Sequence, residues 1–578
     1  MTYRDQKIIR CVLLLLTMAS IGGWSHTARA QAIYGSVYGR VTDATGAVIP
    51  NASVTVTNEG KGTSVKVTAS KGGEYLVPHL IPDVYDVEAS APGFRSTANN
   101  GVQVSADTSP KIDLQLTVGT ATETVSVTTE APQLQADRAD VSTVFNEKTV
   151  YDLPNSGRNF ANLELLIPGA ESIGFSQNQA EDPQGSPTLN IQGQSFAGVE
   201  YLLDGAVNQD PILGQIVVNP PLDAVTEAKI ATQSYDAEFG NSVAAVVNAQ
   251  IKSGTNSVHG DVFDYRTSGA QEARNPYTQS APYSATSNRL IPPSLDSQFG
   301  GSVGGPIIKD KAFAFGDYQG VRQRLGASAQ ETVPTPLARN SCLSGNGCDL
   351  SEFLAARGGL PGQIYNPRNV DPVTGAAAPF VNNFIPNQYL SPQALYLLKL
   401  IPPANAPGTQ NGTANNYNGG GNGYVNQNQF DVRVDYQVSA STHAFGRYSY
   451  FDNSNGAATV FGPAGGTGFG YGGSAAGRNQ SAVAGMDIAL SPKFLTDFRL
   501  GYLRYHVLTH KFDGTQDLAT QAGIPGLNLG TTSTSGSPAF YPGYLGGDGL
   551  SAFGSGLNVN GCNCSLIETE DQYQVVNN

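Results

Sequence analysis

The sequence lacks the long apolar runs with which helical membrane proteins cross a bilayer. Beyond the first thirty residues, no stretch of about 18 consecutive apolar residues occurs, and a transmembrane helix needs roughly that length. A membrane protein built from this chain would therefore cross the bilayer with strands closed into a barrel, because only helices and closed barrels satisfy every backbone hydrogen bond in lipid.

Charged residues are also scarce. They make up 14% of the chain, and the formal net charge is −14 at pH 7. Nucleic acids and anionic membrane surfaces attract clusters of Lys and Arg, so this acidic balance argues against both as partners. The chain is instead rich in Gly (67), Tyr (26) and Phe (23), and few of its stretches favour helix. This composition predicts a mainly β fold.

Only five cysteines occur, and apart from Cys11 they form two close-spaced pairs: Cys342 with Cys348, and Cys562 with Cys564. Such pairs suit small loop disulfides in an oxidising compartment. Zinc is the alternative, but the pairs are far apart in sequence and have no neighbouring histidine. We therefore expect possible disulfides and no cofactor or metal.

Two motifs that enzymes use are present without the context that they need. Residues 300–304 match the G-x-S-x-G nucleophile elbow, and residues 468–473 match G-x-G-x-x-G. The first motif requires a strand-to-helix turn with a histidine partner, and the second requires a βαβ unit. Both lie in glycine-rich sequence that favours strands and loops, so we predict that the protein is not an enzyme.

The N-terminus has the three parts of an export signal. Arg4, Lys7 and Arg10 precede the apolar run CVLLLLTM, and the small-residue cleavage site ARA follows at residues 28–30. An uncleaved membrane anchor is the alternative, but the apolar run is short for a span. We predict a signal peptide over residues 1–30.

Short β-favouring runs separated by turn residues recur over residues 31–129, as in a small β-sandwich. The segment GSVYGRVTDATGAVIPNASVTV and the later segment GGEYLVPHLIPDVYDVEASAPGF closely resemble the carboxypeptidase regulatory-like domain. That family is a seven-stranded sandwich of the carbohydrate-binding-like fold group. The resemblance implies an accessory module whose core contains Tyr75 and Tyr85, and it makes carbohydrate binding conceivable.

Residues 130–256 contain DLPNSGRNFANLELLIPG, YLLDG and YDAEFGNSVAAVVNAQIKSGTN. These elements resemble the plug domain of TonB-dependent outer-membrane transporters, in particular the Oar-like branch, whose members carry the same sandwich in front. The residues predict a tight turn at Asp204-Gly205, a close backbone approach at Gly240 and a polar exit turn. The resemblance makes that exit the hinge between plug and barrel. The candidate plug and hinge residues are Asp204, Gly205, Glu238, Phe239, Gly240, Lys252, Ser253 and Gly254.

Three acidic residues of this region, Asp204, Asp210 and Asp223, allow more than one interpretation. They could contact a substrate or bind calcium as hard oxygen ligands. They could also be ordinary turn-forming aspartates.

Residues 429–438, QFDVRVDYQV, alternate polar and apolar side chains without exception. Because side chains of a strand point to opposite faces, this segment is a strand with one apolar and one charged face. In a soluble sandwich the apolar face would pack inward, whereas in a membrane barrel it would meet lipid. Since a plug-like region precedes it, we predict the barrel arrangement, with Asp431, Arg433 and Asp435 facing the lumen.

The rest of residues 257–578 predicts antiparallel hairpins with short turns on one side and long loops on the other, which is the layout of outer-membrane barrels. We expect QFDVRVDYQV to pair with STHAFGRYSYF, and SAVAGMDIALS to pair with KFLTDFRLGYLRYHV across Pro492. The segments expected outside strands are a turn at residues 300–306 and loops at residues 325–428 and 456–477.

The resemblance therefore implies an outer-membrane receptor and transporter with a signal peptide, a sandwich, an α+β plug and part of an antiparallel transmembrane barrel. In that family an energised TonB-type periplasmic partner moves the plug and admits a ligand bound outside. Outer-membrane lipid would surround the barrel, and the ligand could be a glycan, siderophore, peptide or protein. The alternative is a secreted or surface-exposed adhesion or carbohydrate-binding protein.

The barrel region, from residue 257 to residue 578, has 322 residues, whereas the family's barrel has about 22 strands of about ten residues each. With a long loop at residues 325–428, the region is too short for that number of strands. We therefore expect an N-terminal fragment of a full receptor, which would not transport when produced alone.

Overall fold

The computed structural model describes residues 34–577 except for 107, 120–123, 129–139, 174–181, 183–184, 213, 236–238, 272, 274–292, 355–361, 440, 467–472, 492–493, 532–533, 543–549 and 555–564. The predicted signal peptide lies outside the described residues, as do Glu238, Pro492, Cys562, Cys564 and nearly all of the glycine motif at residues 468–473.

The first part of the chain folds into two packed β-sheets, which we call the N-terminal sandwich. Its strands are β1 (Gly35–Asp43), β2 (Ser53–Asn58), β3 (Ser64–Thr68), β4 (Glu74–Leu80), β5 (Asp83–Ser90), β6 (Ser96–Val104), β7 (Leu114–Leu116) and β8 (Thr124–Thr128). One sheet has the order β4-β1-β7 and the other has the order β3-β2-β5-β6-β8. Valines alternate along β2, so Val54 and Val56 point between the sheets and are 0% and 1% exposed.

The two tyrosines that the resemblance assigns to the sandwich core are buried there. The Tyr75 hydroxyl donates to the Ile112 carbonyl oxygen at 2.6 Å, and the Tyr85 hydroxyl donates to the Ile81 carbonyl oxygen at 2.7 Å. Strands β1 to β7 match the seven strands that the resemblance implies, and β8 extends the second sheet as a parallel neighbour of β6.

The second part of the chain, from residue 140 to residue 256, forms a small mixed sheet with short helices, which we call the plug region. Its strands are β9 (Val141–Asn146), β10 (Ala170–Ser172), β11 (Leu189–Ile191), β12 (Val199–Leu203), β13 (Ala206–Val207), β14 (Val225–Gln233) and β15 (Ala245–Ile251). Its helices are one α-helix, Glu147–Asp152, and the 3-10 helices Ser156–Arg158, Phe160–Leu166, Phe196–Gly198 and Leu222–Ala224.

The main sheet of the plug region has the order β13-β12-β15-β14-β9. Strand β15 lies in its middle, with β12 parallel on one side and β14 antiparallel on the other. All seven residues of β15 are buried. The apolar residues of the segment AVVNAQI suit a strand that is covered on both faces, and its polar residues Asn248 and Gln250 are buried in the same strand.

The third part is one antiparallel sheet of eight long strands, which we call the wall sheet. Its strands in spatial order are β16 (His259–Ser268), β17 (Ser294–Ile308), β18 (Ala312–Glu331), β23 (Tyr417–Ser439), β24 (Thr442–Ala457), β25 (Gly473–Ser491), β26 (Phe494–Lys511) and β27 (Leu566–Asn577). Both predicted hairpins are confirmed, since β23 pairs with β24 and β25 pairs with β26.

The predicted turn at residues 300–306 is wrong, because these residues lie inside β17. Gly300 pairs with Phe263 on one side and with Gln319 on the other. A Cβ atom on Gly300 would come within 2.1 Å of the Tyr318 carbonyl oxygen and 2.9 Å of the Phe263 ring. Glycine marks here a close approach of strands beneath aromatic side chains rather than a turn.

The predicted loop at residues 325–428 is too long at both ends. Strand β18 continues to Glu331 and β23 begins at Tyr417, with Leu325 paired to Gly423. The first half of β23 is YNGGGNGYVNQNQ. Gly and Asn are depleted in strands, so this composition predicts a loop where the structure has a strand. The loop at residues 456–477 is shorter than predicted for the same reason, since β25 begins at Gly473.

The described parts of the long connections at one end of the wall sheet, which lie within residues 332–416, 458–466 and 512–554, pack together as a loop cap. Its helices are Pro336–Leu343, Ser351–Phe353, Val381–Asn383, Asn387–Tyr389, Pro392–Leu400, Gly462–Ala464 and Leu518–Gln521, and its strands are β19 (Cys348–Asp349), β20 (Tyr365–Val370), β21 (Ala377–Pro379) and β22 (Phe384–Ile385). Val333, Leu397, Ile401 and Phe461 belong to its apolar core. None of the helices in the described part of the chain has the length and apolar character of a membrane span.

Short connections lie at the opposite end of the wall sheet, between β17 and β18, β23 and β24, and β25 and β26. The N-terminal sandwich contacts this end. The Asn256 side-chain amide donates to Asp310 Oδ1 in the β17–β18 turn at 2.7 Å and to the Lys61 carbonyl oxygen of the sandwich at 2.6 Å. The sandwich and the loop cap therefore occupy opposite ends of the wall.

Candidate functional site

The inner face of β23 presents three charged residues to the plug region. Asp431, Arg433 and Asp435 are 1%, 6% and 1% exposed, whereas the intervening Val432 and Val434 on the outer face are 46% and 41% exposed. Buried charges are expensive unless they are paired and hydrogen-bonded. The plug region and the neighbouring strands provide those partners.

Arg433 joins the wall to two parts of the plug region. Its Nη1 donates to Asp204 Oδ1 at 2.8 Å and to the Ile251 carbonyl oxygen at 2.9 Å. Its Nε and Nη2 donate to the two carboxylate oxygens of Asp435, each at 3.0 Å. The planar guanidinium has five fixed donors and can therefore satisfy all these acceptors at once.

A second wall arginine, Arg447 on β24, contacts the same plug carboxylate. Its Nε lies 2.9 Å from Asp204 Oδ2, so Asp204 bridges two arginines of the wall. Arg447 also donates to the hydroxyls of Ser449 and Ser481, at 2.5 Å and 3.0 Å. Ser449 in turn donates to Asp431, which closes the network on the inner face of β23.

The network continues through His443, which sequence analysis did not single out. Its two ring nitrogens lie 3.1 Å from Asp435 and 3.1 Å from Asp487. Arg499 contacts Asp487 at 3.4 Å and donates to the Tyr34 hydroxyl at 2.8 Å. The network therefore runs from the plug region across β23, β24, β25 and β26 to the residue that precedes the first sandwich strand.

These additional residues follow the alternation that identified β23. Phe498 and Leu500 are 43% and 48% exposed on the outer face of β26. Arg499 and Asp497 alternate with them along the strand and therefore face inward. The pattern predicts the direction in which Arg499 points. Its partners on other strands depend on the strand register, which the pattern of one strand does not determine.

The predicted exit turn contacts both the plug helix and the wall. Lys252 forms an ion pair with Glu147 of the helix Glu147–Asp152 at 2.7 Å. The Ser253 hydroxyl donates to Asp435 Oδ2 on the wall at 2.7 Å. The exit segment is therefore fastened to the charged network itself.

Gly254 fills a place where no other residue fits. An added Cβ atom would lie 2.4 Å from the carbonyl oxygens of Ala314 and Gly305, and 2.8 Å from the Gly305 nitrogen. The backbone of the exit segment thus passes directly against β17 and β18. This is the close backbone approach that sequence analysis expected elsewhere, at Gly240.

The other predicted plug residues have different roles. Asp204 and Gly205 connect β12 to β13 with φ values of 52° and 75°, as a tight turn requires. Phe239 is buried in a small cluster with Leu202 and Val246. The prediction for Gly240 is wrong, because a Cβ atom there would meet none of the described atoms within 4 Å.

The acidic residues that sequence analysis grouped in the plug have different partners. Asp204 binds the wall arginines, and Asp223 forms an ion pair within the plug region. Asp210 instead lies beside Glu568 and Glu570 of β27, with one oxygen from each carboxylate within 4.8 Å of the others. Carboxylates at this spacing are of the type that hard cations bind.

The first cysteine pair is joined in the structure. Cys342, in the helix Pro336–Leu343, forms a disulfide with Cys348 of β19. Both residues lie in the loop cap, so the bond closes a small loop at the end of the wall opposite the sandwich.

Two glutamates of the plug region are buried, and burial raises the pKa of each. The pKa of Glu164 is raised to about 8 by burial, although the Tyr201 hydroxyl donates to its Oε2 at 3.0 Å. The pKa of Glu227 is raised to about 7 by burial, and its Oε1 accepts from the Ala106 backbone N–H of the sandwich at 2.7 Å. Each carboxyl group therefore binds a proton over pH values at which an exposed glutamate is ionised.

Comparison with known proteins gives two matches to family models and one to a curated protein. A model described as "Outer membrane beta barrel domain" matches residues 250–578, and one described as "Carboxypeptidase regulatory-like domain" matches residues 36–117. The curated TonB-dependent transporter Oar of Myxococcus xanthus is 26% identical over 307 residues, which are 51% of this chain and 27% of that protein. The chain thus spans about a quarter of the length of that relative.

The solved structures that the chain matches in part include two outer-membrane proteins. The outer membrane transporter YddB from Escherichia coli has a TM-score of 0.41 and 10% identity, with 75% of this chain and 45% of that chain covered. The ferric enterobactin receptor PfeA from Pseudomonas aeruginosa has a TM-score of 0.35 and 9% identity, with 64% and 41% covered.

The matched barrel domain accounts for more than half of the chain and coincides with the wall sheet, whose outward apolar and inward polar faces are those of a lipid-embedded wall. The regulatory-like domain coincides with the sandwich. The chain therefore belongs to the outer membrane beta barrel domain family, is located in the outer membrane, and carries a carboxypeptidase regulatory-like domain in front of the wall and the plug region.

Proposed function

We propose that this protein binds a ligand at the outer surface of the outer membrane and admits it when a TonB-type periplasmic partner displaces the plug region. The observation that carries the proposal is the buried charged network between the plug region and the wall, centred on Arg433, Arg447 and Asp204. The plug is joined to the wall by polar contacts of this kind in addition to apolar packing, in which Phe315 and Leu503 of the wall take part.

A charged interface is suited to repeated release. Burying ions costs desolvation free energy that their mutual attraction only roughly offsets, so a buried ion pair is weakly stabilising relative to hydrated ions. When the plug moves, water can enter and solvate Asp204 and the arginines that it leaves. An apolar interface of the same size would lose its full burial free energy on opening.

The position of the sandwich supports transport over surface adhesion. An adhesion module would be expected beside the long loops, which are the outer side in this family. The sandwich instead contacts the short-turn end of the wall, through Asn256 and Asp310 and through Tyr34 and Arg499. It is therefore placed where a periplasmic partner could reach it.

The proposal can be tested in the protein's own host without knowing the ligand. Ala249 of β15 is 3% exposed in the middle of the plug sheet. We expect A249C, with Cys562 and Cys564 replaced by serine, to react with a membrane-impermeant maleimide in energised cells and to be protected in cells treated with a protonophore. Val373, 90% exposed in the loop cap, provides the control, since V373C should react under both conditions.

A second variant locks the plug to the wall. A Cβ atom on Gly501 of β26 would lie 3.5 Å from Cβ of Ala206, which is within the range for a disulfide. We expect A206C/G501C to abolish the energy-dependent labelling of A249C, measured by mass spectrometry of the labelled peptide, and prior reduction to restore it. Equal labelling of A249C with and without energy would overturn the proposal and favour a static surface protein.

A further inference from the structure

A polar cavity lies between the plug region and the half of the wall nearer the loop cap. Its volume is about 260 Å³. The plug contributes the loop around Arg158 and the segment at Asn219, and the wall contributes side chains of β17, β18 and β23, among them Gln298 and Gln319. The cavity is therefore placed where a ligand from outside would first meet the plug.

The lining is dominated by side-chain amides. Eight of the thirteen lining residues are Asn or Gln, and none of those described is Asp, Glu or Lys. The single charged residue, Arg158, is paired with Asp223 and stacked on the Phe263 and Tyr265 rings, 4.8 Å and 4.6 Å from their centroids. The cavity consequently presents many neutral donors and acceptors and very little net charge.

Three of these amides have a carbonyl oxygen without a hydrogen-bond partner among the described residues. They are Gln298 Oε1, Gln319 Oε1 and Asn219 Oδ1, and the residues are 5%, 9% and 7% exposed. Arg158 Nε is likewise a buried donor without a described partner. Arg158 also has φ of 52°, in the left-handed region that a residue with a side chain seldom adopts. A buried polar group without a partner and a strained backbone are typical of positions that serve a ligand.

We propose that this cavity binds a neutral, hydroxyl-rich ligand, a segment of an uncharged glycan. This proposal rests on the proposed function, since it names the class of the ligand taken up. A sugar hydroxyl both donates and accepts, as does an amide, so a neutral glycan can satisfy Gln298, Gln319 and Asn219 together.

Other ligand classes fit this lining less well. A polyanionic iron chelate would need unpaired cations, and the arginine present already has a carboxylate partner. A peptide would need apolar pockets for its side chains, whereas Val321 and Pro220 are the apolar residues of the described lining. The preference for a glycan therefore follows from the excess of neutral hydrogen-bonding groups.

The test measures binding by the purified full chain in detergent micelles. The neutral probes are the hexasaccharides of maltose, cellulose, xylan, isomaltose and chitin, and the contrasting probes are hexagalacturonate, ferric enterobactin and an uncharged hexapeptide. We expect at least one neutral hexasaccharide to bind, and Q319L and Q298L each to weaken its affinity tenfold or more. Q330L is the matched control, because Gln330 lies on the same strand but is exposed and outside the cavity.

Two results would overturn the assignment. In the first, no neutral hexasaccharide binds, whether or not a contrasting probe does. In the second, a neutral glycan binds and Q319L and Q298L leave its affinity unchanged. Intact thermal unfolding of the variants ensures that any loss of binding is not a loss of fold. Energy-dependent labelling of A249C does not involve the cavity residues. If that labelling persists while glycan binding fails, the ligand class is wrong and the gating proposal stands.

Discussion

The N-terminal sandwich and the wall sheet use the same alternating pattern of side chains and bury opposite faces of it. In β2, SVTVTN, the valines Val54 and Val56 are enclosed between two sheets and the threonines face outward. In β23, the valines Val432 and Val434 face outward and the charged residues are enclosed. A period of two identifies a strand in both regions, but the surroundings of the sheet decide which face becomes the core.

The two regions also treat ion pairs differently at nearly equal distances. In the sandwich, Arg40 and Glu74 lie 2.7 Å apart with both side chains at least half exposed. In the wall, Arg433 lies 2.8 Å from Asp204, and their side chains are 7% and 2% exposed. In the first pair, water solvates both ions whether or not they contact each other. In the second pair, losing one partner would leave the other ion buried without a counter-charge.

The largest expected effect is the loss of the central wall arginine. R433M leaves Asp435 buried without its arginine and takes one of two arginines from Asp204, so we expect the free energy of unfolding to fall by about 3–5 kcal/mol. Urea titration of the purified chain in detergent micelles, followed by circular dichroism, measures this. The variant R433M/D435N should recover part of the loss, because it removes the carboxylate that loses two bonds from Arg433. A loss below about 1 kcal/mol in R433M would show that the network is already hydrated.

The next effect contrasts the two kinds of valine directly. V56A removes two buried methyl groups from the sandwich core, and we expect it to lower the free energy of unfolding by about 2 kcal/mol. V434A removes the same groups from the outer face of the wall, where lipid or detergent replaces the contacts, and we expect a change below about 0.5 kcal/mol. Equal losses in the same urea titrations would contradict the opposite burial of the two sheets.

The plug adds a third way to handle a buried carboxyl group, which is to keep its proton. The folded-state pKa of Glu164 is about 8, above the value of about 4.3 in an unfolded chain, so the folded protein holds a proton that the unfolded chain releases. Stability from this group is therefore complete below about pH 4.3 and decreases by about 1.4 kcal/mol per pH unit as the pH rises toward 8.

E164Q tests this, because the amide oxygen can still accept from Tyr201 while the side chain no longer titrates. We expect the fall in melting temperature between pH 6 and pH 8 to be smaller in E164Q than in the unsubstituted chain. The variant Y201F serves as the control, since it removes the hydrogen bond and keeps the titrating group. Identical pH profiles for E164Q and the unsubstituted chain would show that Glu164 is ionised in the fold.

The smallest expected effect is at the exposed ion pair of the sandwich. R40A should change the free energy of unfolding by less than about 0.5 kcal/mol, because solvent screens both partners. Addition of salt should leave the difference between R40A and the unsubstituted chain close to zero. A loss comparable to that of R433M would remove the distinction drawn between the two pairs.

The strands of the wall were predictable where apolar and polar residues alternate, as in β23 around Arg433, and not where glycine and asparagine replace them. The strand segment from Tyr417 to Asn428 has no apolar face to recognise, and its pairing with β18 makes it a strand. The glycines of Gly300 to Pro306 likewise predict a turn. In the structure they make room for aromatic side chains of the neighbouring strands.

The candidate site was partly predictable for a related reason. Alternation correctly oriented the side chains of Asp431, Arg433 and Asp435, but it carries no information about partners such as Asp204, which lies 229 positions away in the chain. The amides of the cavity had no signal of their own, because isolated Gln and Asn residues such as Gln319 are ordinary in any strand of mixed polarity. Their significance arises only when the register brings them to one place.

The hairpin of β18 and β23 is longer than a bilayer requires. Its strands have 20 and 23 residues, whereas a tilted strand crosses the hydrocarbon layer with about ten, so roughly half of each strand extends beyond the lipid toward the loop cap. The loop cap contains the turn Asp371 to Gly375, where Val373 is 90% exposed. The proposed function places the loop cap on the outer side, and with that orientation a peptide tag inserted at this turn would be displayed on intact cells for antibody staining, held clear of the membrane by the hairpin.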